Sequence, residues 1–415
     1  MRILILGAGV IGVTAAYQLL KDGHDVTVVD KADGPASFTS FGNAGLVAPG
    51  HAYAWSSPKA PGMMLRSLWR GDQAIRLKPR FSPRQWSWIG RFLAQCNATS
   101  AGVNTGHKSR LCVYSQTVLN QVVAETGIAY DGRDGGLVYF YRTPAAFDAA
   151  ASRAQILRNE GIAIDVLDRD ATVTQDPGLA PARDQIAGSL FAPGDASGDC
   201  NLFTIALAEI CQTMGGQFRF GETVLRLKTE GDLVASVQTD KDEISADAFV
   251  LCLGVYSPQL AEQIGLKLPI YPVKGYSATL PITDESRAPR LGGVDEENLL
   301  AYCPMGARLR LTATAEISGY STAHRPSDYR EMFARASGLF AGAVDFDAAV
   351  CWAGLRPMTP TGIPVIDRSP FANFWLNTGH GHMGWTMSNG SARILADLVG
   401  QRKPEIDTSG VRYDP

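Results

Sequence analysis

Apolar residues along the chain follow two different spacings, which predict strands and helices in alternation. Residues 3–6 form a continuous apolar run, as expected of a parallel strand buried on both faces. Residues 10–20 continue as an apolar helix, and Gly23 is suited to end it. Residues 25–29 predict a second strand, closed by Asp30. The chain therefore begins with a predicted β-α-β unit.

The rest of the chain mixes further strands and helices, without internal repeats. Helices are predicted at residues 110–125, 143–159, 202–214, 327–339 and 384–399, with Thr143 as the N-cap of the second. Strands are predicted at residues 135–141, 188–191, 218–225, 234–238, 246–254, 267–280, 300–317 and 374–377. The alternation within 267–280 and 300–317 indicates antiparallel pairing.

Composition narrows the class of protein. The 415 residues suggest about two domains, and 45% hydrophobic against 19% charged residues allows a large core. The net charge of −3 argues against a nucleic-acid-binding protein. Seven scattered cysteines lack the spacing of a zinc site and suit reduced thiols in the cytoplasm. No apolar run is long enough to span a membrane, and the strand from residue 3 leaves no room for a signal peptide.

Residues 59–110 differ in charge from the rest of the chain. They hold ten basic residues against one acid, Asp72, for a net charge of +9, whereas the remainder carries −12. Trp69, Trp86 and Trp88 lie among the bases. Two explanations stay open: a surface helix that binds anionic membranes, or a basic face packed on the protein with tryptophan in its core.

The turn after the first strand carries the pattern G-x-G-x-x-G. Gly7 permits a tight turn, Gly9 lets the backbone approach a pyrophosphate, and Gly12 lets the helix pack closely. Asp30 stands where a carboxylate accepts a ribose 2′-hydroxyl, which disfavours NADP. The cofactor contacts predicted in this unit are Gly7, Gly9, Val10, Ile11, Gly12, Asp30 and Lys31.

A glycine-rich loop then replaces the regular β-α-β continuation of a nicotinamide enzyme. Residues 39–50 offer several hydrogen-bond donors, fit to surround a larger cofactor, and strand signals return only much later. The cofactor domain is therefore expected to be discontinuous. Its further predicted contacts are Ser40, Asn43, Ala44, Gly45, Leu46 and Gly254.

Two blocks near the end of the chain complete the candidate site. Residues 377–387 predict a strand, a glycine loop and a helix start, whose N–H groups could face a delocalised anion such as the edge of a reduced flavin. Residues 352–360 place Arg356 beside Pro357, where rigid backbone suits a guanidinium aimed at a carboxylate.

These blocks together resemble the superfamily of FAD-dependent D-amino-acid oxidases and glycine oxidases, and within it the bacterial D-amino acid dehydrogenases. The likeness covers nearly the whole chain and rests on ILGAGVIG, NAGLVAPG, GDCNLFT, YPVKGYSATLPI, AGLRPMTPTGIPVI and LNTGHGHMGWTMSNGSA. It implies an α/β fold with a Rossmann-like FAD-binding domain, of the GR2 type of flavoprotein, and a second, mostly antiparallel-sheet substrate domain. The implied boundaries are 1–55, 196–266 and 352–415 for the first domain, and 56–195 and 267–351 for the second.

The resemblance also implies roles for particular residues. Arg356 corresponds to the arginine that pairs with the substrate carboxylate, and Val224 lies where the backbone contacts adenine. FAD is expected to be non-covalent, with Cys351 in the core. His382 either tunes the flavin edge or fills the loop. The residues implied to cradle the flavin are Gly381, His382, Met383, Gly384 and Thr386, and Gly354 is a further predicted cofactor contact.

The implied reaction is oxidative deamination of a D-amino acid, including cyclic substrates such as D-proline, to an imine or 2-oxo acid. Hydride passes from Cα to flavin N5, and the electrons continue to a quinone or another acceptor than oxygen. Tyr53, Tyr276 and Tyr302 are candidates to supply a hydroxyl, and His51 lies in a segment suited to a lid or pocket wall.

Two other functions stay open from the sequence. One is a secondary-amine oxidase or demethylase of the sarcosine type, and the other is a non-catalytic flavoprotein subunit of a membrane complex. The basic, tryptophan-containing segment leads us to expect a cytoplasmic protein, peripheral on the inner face of the bacterial inner membrane. No metal site and no nucleic-acid partner are expected.

Overall fold

The computed structural model describes residues 1–69 and 75–414 and combines parallel and antiparallel sheets. Its strands in chain order are β1 Arg2–Leu6, β2 Asp25–Val29, β3 Leu46–Val47, β4 Ile75–Leu77, β5 Arg133–Asp134, β6 Leu137–Tyr141, β7 Asp165–Asp168, β8 Gly188–Ala192, β9 Ala196–Ser197, β10 Gln217–Arg219, β11 Val224–Glu230, β12 Leu233–Thr239, β13 Glu243–Ile244, β14 Ala248–Leu251, β15 Tyr271–Pro281, β16 Gly292–Asp295, β17 Leu300–Met305, β18 Arg308–Ile317, β19 Val350–Met358, β20 Val365–Arg368 and β21 Phe374–Thr378.

The α-helices are spread between these strands. In the described residues they are α1 Val10–Lys21, α2 Ala60–Arg66, α3 Pro83–Ala94, α4 Ala98–Thr126, α5 Pro144–Asn159, α6 Arg169–Gln175, α7 Cys200–Thr213, α8 Ser257–Ala261, α9 Arg330–Phe340 and α10 Gly384–Val399.

The first sheet has the strand order β10-β2-β1-β14-β21-β20 and is parallel except for β20. Ile3 and Ile5 of β1 pack into the core that contains α1, α4 and α10, whereas Leu4 and Leu6 pack into a second core on the opposite face. Burial on both faces confirms the interpretation of the apolar run. Because β2 and β14 flank β1 on opposite sides, the carboxyl end of β1 is a point where such sheets bind ligands.

The second sheet is mostly antiparallel, with the order β19-β15-β18-β17-β16-β6-β8-β7 and β4 beside β18. The pairs β16–β6 and β18–β4 are its parallel exceptions. Residues of this sheet and of α9 share a separate core. The expected combination of a Rossmann-like domain with a mostly antiparallel substrate sheet is thus confirmed.

Several local predictions differ from the structure. The strand predicted at 218–225 is two strands, β10 and the start of β11, which lie in different sheets. The strand predicted to begin at residue 246 and end at Gly254 spans only Ala248–Leu251, and Gly254 adopts φ +54° and opens the short 3-10 turn Gly254–Tyr256. The predicted cap at Thr143 is confirmed, since its side chain accepts the N–H of Ala146.

The two-domain division stays a prediction, and two elements do not follow its boundaries. The strand β19 begins at Val350 and pairs with β15 in the second sheet, although residues from 352 were expected in the cofactor domain. The helix α4, expected in the substrate domain, packs with α1 and α10 in the core of the first sheet.

In the basic segment 59–110, some of the tryptophan and basic side chains are buried and others are exposed. Trp88 is buried and donates its indole N–H to the Met358 carbonyl at 2.8 Å, whereas Trp69 and Trp86 are 75% and 50% exposed. Lys108 is fully buried. Arg70 and Asp72, which contributed to the charge count, lie outside the described residues. Across the described residues, no helix has both the length and the apolar character needed to cross a bilayer.

Candidate active site

A cavity of about 520 Å³ lies at the carboxyl ends of β1, β2 and β14. It occupies the point of the sheet at which a dinucleotide is expected. The sequence-predicted residues on its walls are Gly7, Gly9, Val10, Ile11, Asp30, Lys31, Ser40, Asn43, Val224, Gly254, Gly381 and Gly384.

The glycine turn between β1 and α1 is formed as its sequence predicts. Gly7 adopts φ +108°, and a Cβ there would approach the Cys252 carbonyl oxygen at 2.7 Å, so a side chain would be both strained and obstructed. The Ser40 hydroxyl accepts the N–H of Val10 at 3.0 Å and so ties the next loop to the helix start. The N-terminus of α1 therefore faces the cavity, where its dipole favours a phosphate group.

Asp30 ends β2 at the wall of this cavity. One carboxylate oxygen accepts the N–H of Ala8 at 2.7 Å, and the other accepts the N–H of Ala32 at 2.8 Å. Each oxygen retains a further lone pair. The predicted contact with a ribose hydroxyl is compatible with this placement, and Asp30 also fixes the glycine turn, a role that the sequence alone did not reveal.

A second cavity, of about 160 Å³, adjoins the first. Both are lined by Thr39, Asn43, Gly381 and Trp385, so a ligand that extends through the first cavity reaches the second. The sequence-predicted residues on the second wall are Asn43, Ala44, Leu46, His51, Tyr276, Gly354, Arg356, Gly381, His382, Met383 and Thr386.

Trp385 carries an unfulfilled hydrogen-bond donor at this junction. Its indole is buried, and Nε1 has no hydrogen-bond partner within the described chain. Buried donors are normally paired, so an acceptor supplied by a bound molecule is expected here. Together with the start of α1 at the cavity wall, this donor fits a dinucleotide cofactor.

Arg356 is the main cation of the second cavity. It lies on β19, and its Nη1 donates to the Thr314 carbonyl at 2.9 Å. Within the described residues, no acidic side chain forms an ion pair with it, and burial lowers its pKa to about 10. A guanidinium in such surroundings favours an anionic ligand, because a buried charge is costly unless it is paired.

The backbone around Arg356 is shaped to receive it. Gly275 pairs with Gly354 on β19, and a Cβ at position 275 would collide with the guanidinium. On the other neighbour, β18, a bulge places Thr314 and Ala315 opposite Gly275, and Thr314 adopts φ +66°. A β-branched residue in this region is strained. The carbonyl of this strained residue therefore holds one end of the guanidinium at the cavity.

His382 lies on the wall of the second cavity beside a buried lysine. Its ring stacks on Trp55 with centroids 4.3 Å apart, and Nε2 is 3.3 Å from Lys108 Nζ. Lys108 also donates to the Tyr53 carbonyl, and burial lowers its pKa to about 8. Burial, aided by the charge of Lys108, holds the pKa of His382 well below its usual value. His382 is therefore a neutral ring at neutral pH.

The loop from Thr39 to Ala48 is fixed by contacts from distant parts of the chain. Arg310 on β18 donates to the carbonyls of Phe41 and Asn43 at 3.2 and 3.0 Å. Thr386 in the first turn of α10 accepts the N–H of Ala48 and donates to the Leu46 carbonyl. Both cavities thus share a loop that is held by the second sheet and by α10.

Four predicted site residues do not line either cavity. Tyr302 is fully buried in the core beneath α9, and Tyr53 packs its ring against α5. Gly12 packs against the carbonyl of Gly7, and Gly45 lies near β17 behind the loop. The side chains of Tyr53 and Tyr302 are thus not placed to touch a ligand in these cavities.

The sequence reasoning missed several residues that shape the site. Lys108 was counted only as one base in a basic segment. Glu296, which lies 2.7 Å from the His51 ring, and Thr314 carry no local motif. Gly275 lies within the quoted block YPVKGYSATLPI without an assigned role, and Trp385 within the final glycine block. Gly275 and Trp385 thus offered a local signal, whereas the placement of Lys108, Glu296 and Thr314 depends on contacts between distant segments.

Comparison with known proteins agrees with the geometry. A family model described as FAD dependent oxidoreductase, DAO, matches residues 2–398. The chain is 45% identical over 414 residues to D-amino acid dehydrogenase 2 of Mesorhizobium japonicum, covering 100% of both chains. It is 44% identical to a D-amino acid dehydrogenase of Cereibacter sphaeroides, covering 99% of this chain and 94% of that one.

Solved structures show the same fold at low identity. Glycine oxidase from Geobacillus kaustophilus superposes with a TM-score of 0.76 at 21% identity, covering 99% of this chain and 98% of that one. L-proline dehydrogenase from P. horikoshii gives 0.75 at 16%, covering 96% and 93%. With the family match over nearly the whole chain, the cofactor cavity is assigned to FAD. The chain belongs to the DAO family of FAD-dependent oxidoreductases.

Proposed function

We propose that this oxidoreductase deaminates D-amino acids oxidatively. The observation that carries the proposal is Arg356, a partly buried cation without an acidic partner in the described chain, on the wall of a cavity that adjoins the cofactor cavity. A guanidinium fork binds a carboxylate with two parallel hydrogen bonds. The names of the relatives from Mesorhizobium japonicum and Cereibacter sphaeroides support a D-amino acid as the carboxylate-bearing substrate.

The proposed chemistry removes two electrons from the substrate. Bound FAD supplies a hydride acceptor at flavin N5. The Cα–H bond breaks with its electron pair leaving as hydride, while the lone pair of the neutral amine forms the C=N bond. Water then converts the imine to a 2-oxo acid and ammonia, and a cyclic imine from D-proline persists.

The residues of this chain contribute mainly position and electrostatics. Arg356 binds the carboxylate and is itself oriented by Thr314. The N-terminus of α1 would hold the phosphates of FAD and Asp30 its ribose, and the glycine loop around Gly381 lines both the cofactor cavity and the second cavity. Such preorganisation lowers the entropic cost of bringing Cα to the flavin.

An anaerobic substrate screen tests the proposal. Purified, flavin-loaded protein is mixed with D- and L-amino acids, and flavin absorbance is followed. Bleaching by D-amino acids is expected, and Arg356→Ala should lower kcat/KM by about 30-fold or more, since losing a charged contact to a carboxylate costs about 2–5 kcal/mol. Arg226→Ala, an exposed position on β11, is the control and should behave as wild type. Unchanged kcat/KM in Arg356→Ala would refute the proposal.

The product distinguishes the secondary-amine alternative. A sarcosine-type demethylase releases formaldehyde from an N-methyl substrate, whereas deamination gives ammonia and a 2-oxo acid. Formaldehyde from sarcosine, with no bleaching by primary D-amino acids, would replace the proposed reaction by demethylation.

A membrane surface is the proposed partner for the second half of the reaction. Around α2 and α3 large apolar side chains are exposed: Leu65 at 57%, Trp69 at 75%, Trp86 at 50%, and Phe81 fully. Basic residues lie among them, namely Arg66, Arg80, Arg84 and Arg91. Apolar side chains among bases favour the interface of an anionic bilayer, where a quinone acceptor resides.

Vesicle flotation tests this surface. The protein should float with vesicles rich in phosphatidylglycerol and not with pure phosphatidylcholine. The double variant Phe81→Ser, Trp86→Ser should lose binding, whereas Val166→Ser, an exposed apolar position on β7, should retain it. Absence of flotation with anionic vesicles would remove the support for a membrane-bound acceptor.

A further inference from the structure

His51 ends a short 3-10 turn on the wall of the second cavity, which it shares with Arg356. Its Nε2 lies 2.7 Å from Oε1 of Glu296, the residue after β16. Because a carboxylate only accepts hydrogen bonds, Nε2 carries the proton. In the described part of the chain, Nδ1 has no hydrogen-bond partner, so it presents a free lone pair.

The ring of His51 is also held in place from behind. It stacks on Tyr139 with centroids 5.1 Å apart and planes 18° apart. The Tyr139 hydroxyl donates to Asp195 at 2.5 Å, and the same carboxylate accepts the N–H of Gly50, the residue before His51. One buried carboxylate thus fixes both the ring's stacking partner and its backbone, which limits the rotation of the imidazole.

Both cations and carboxylates surround the site of His51. The cations nearest to the cavity are Arg356 on β19 and Lys108 on α4, while Arg153 on α5 lies over the Tyr53 ring. Glu296 is the acid that contacts the imidazole, and Asp195 lies behind Tyr139. The other titratable groups facing this cluster are Tyr53, Tyr141 and His382.

We propose that His51 accepts a proton from the α-ammonium group of the substrate and that Glu296 is a positioning residue, which orients the imidazole and stabilises the imidazolium that forms. The inference rests on the proposed function, because it assumes an amino acid whose carboxylate is bound by Arg356. A histidine oriented by a carboxylate through one nitrogen, with the other free, has the arrangement of a general base.

The step balances without a further reactant. An amino acid enters as a zwitterion, whose ammonium has no lone pair and cannot form the C=N bond. One N–H bond breaks, its proton joins His51 Nδ1, and the amine keeps the electron pair. The imidazolium next to Glu296 releases this proton to solvent after the imine has left. Hydride transfer then follows from the neutral amine as proposed above.

The test is the pH dependence of flavin reduction in His51→Gln and Glu296→Gln. D-Alanine and D-proline are the probes, followed anaerobically by rapid mixing from pH 6 to pH 10. General base catalysis typically contributes about 10²–10⁴-fold, so His51→Gln should reduce the flavin about 100-fold more slowly at pH 7. Its rate should recover towards wild type near pH 10, where the substrate amine loses its proton unaided. Glu296→Gln should show a smaller loss, of about tenfold, with the same recovery.

Two controls separate this role from damage to the fold. His24→Gln lies before β2, at the edge of the sheet opposite to the cofactor cavity, and should match wild type at every pH. The affinity for acetate, a carboxylate without an amine, is measured by perturbation of the flavin spectrum and should be unchanged in His51→Gln.

The outcomes are distinct. A loss that is equal at every pH, or a wild-type profile in His51→Gln, would overturn the proton-acceptor role while leaving the deaminase assignment in place. If neither probe nor any other D-amino acid reduces the wild-type flavin, the proposed function fails first. Recovery confined to high pH, with unchanged acetate binding, supports the role.

Discussion

The substitution Gly275→Ala should move the guanidinium of Arg356, which we propose binds the substrate carboxylate, without removing it. A Cβ at this position would press on the end of the Arg356 side chain, whose guanidinium supplies the three nearest atoms and is flexible enough to shift. The strand β15 should therefore still form. The guanidinium, however, should lose its alignment with the Thr314 carbonyl and with the substrate.

The magnitude follows from the contact that is weakened. Loss of a charged contact to a carboxylate costs about 2–5 kcal/mol, and displacement should fall at the low end of that range. About 2 kcal/mol corresponds to roughly a 30-fold lower kcat/KM. The loss should appear mainly in substrate affinity, because the flavin cavity is not altered.

The assay is a double-mutant cycle with Arg356→Ala. Steady-state kinetics of wild type, both single variants and the double variant give the coupling between the two positions. Gly275→Ala should have almost no effect once the guanidinium is absent. Gly338→Ala on α9, where an added Cβ meets no atom within 4 Å, is the matched control and should keep full activity. Wild-type kcat/KM in Gly275→Ala, or an equal loss with and without Arg356, would refute the reasoning.

Three further predictions concern stability. Burial raises the pKa of Asp195 to about 7, so the folded protein loses stability as pH rises from about 4 to 7. The Tm of Asp195→Asn minus that of wild type, measured by thermal denaturation, should therefore increase across this range. A difference that does not change with pH would contradict the prediction. Burial lowers the pKa of Lys108 from 10.5 to about 8, so the charged amine destabilises the folded protein at pH 7 and Lys108→Met should raise Tm there. This gain should shrink as pH rises from about 8 to 10.5, and a lower Tm of the variant at pH 7 would contradict the prediction. Thr314→Gly should relieve the strain at φ +66° and raise the free energy of unfolding, measured by urea titration, by about 1 kcal/mol. Its kcat/KM should fall, because the carbonyl that orients Arg356 becomes mobile. No gain in stability would argue against strain at this residue.

Local sequence determined the elements whose contacts lie close together in the chain. The apolar run of β1, the turn at Gly7 and the cap at Thr143 depend on backbone geometry within a few residues, so the pattern was sufficient. Asp30 belongs to the same unit, because a β-α-β crossover fixes where the second strand ends. Arg356 was also identified from sequence, although only as a residue in a motif.

Tertiary structure alone decided how the second cavity is built. Lys108 looked like part of a solvated basic face and became a buried amine beside His382, because α4 packs into the core of the first sheet. Glu296 reaches His51 across 245 residues of chain. The carbonyl of Thr314 reaches Arg356 through a bulge that no local pattern marks. These contacts follow from the pairing of distant strands and helices, and spacing along one segment carries no information about which segments meet.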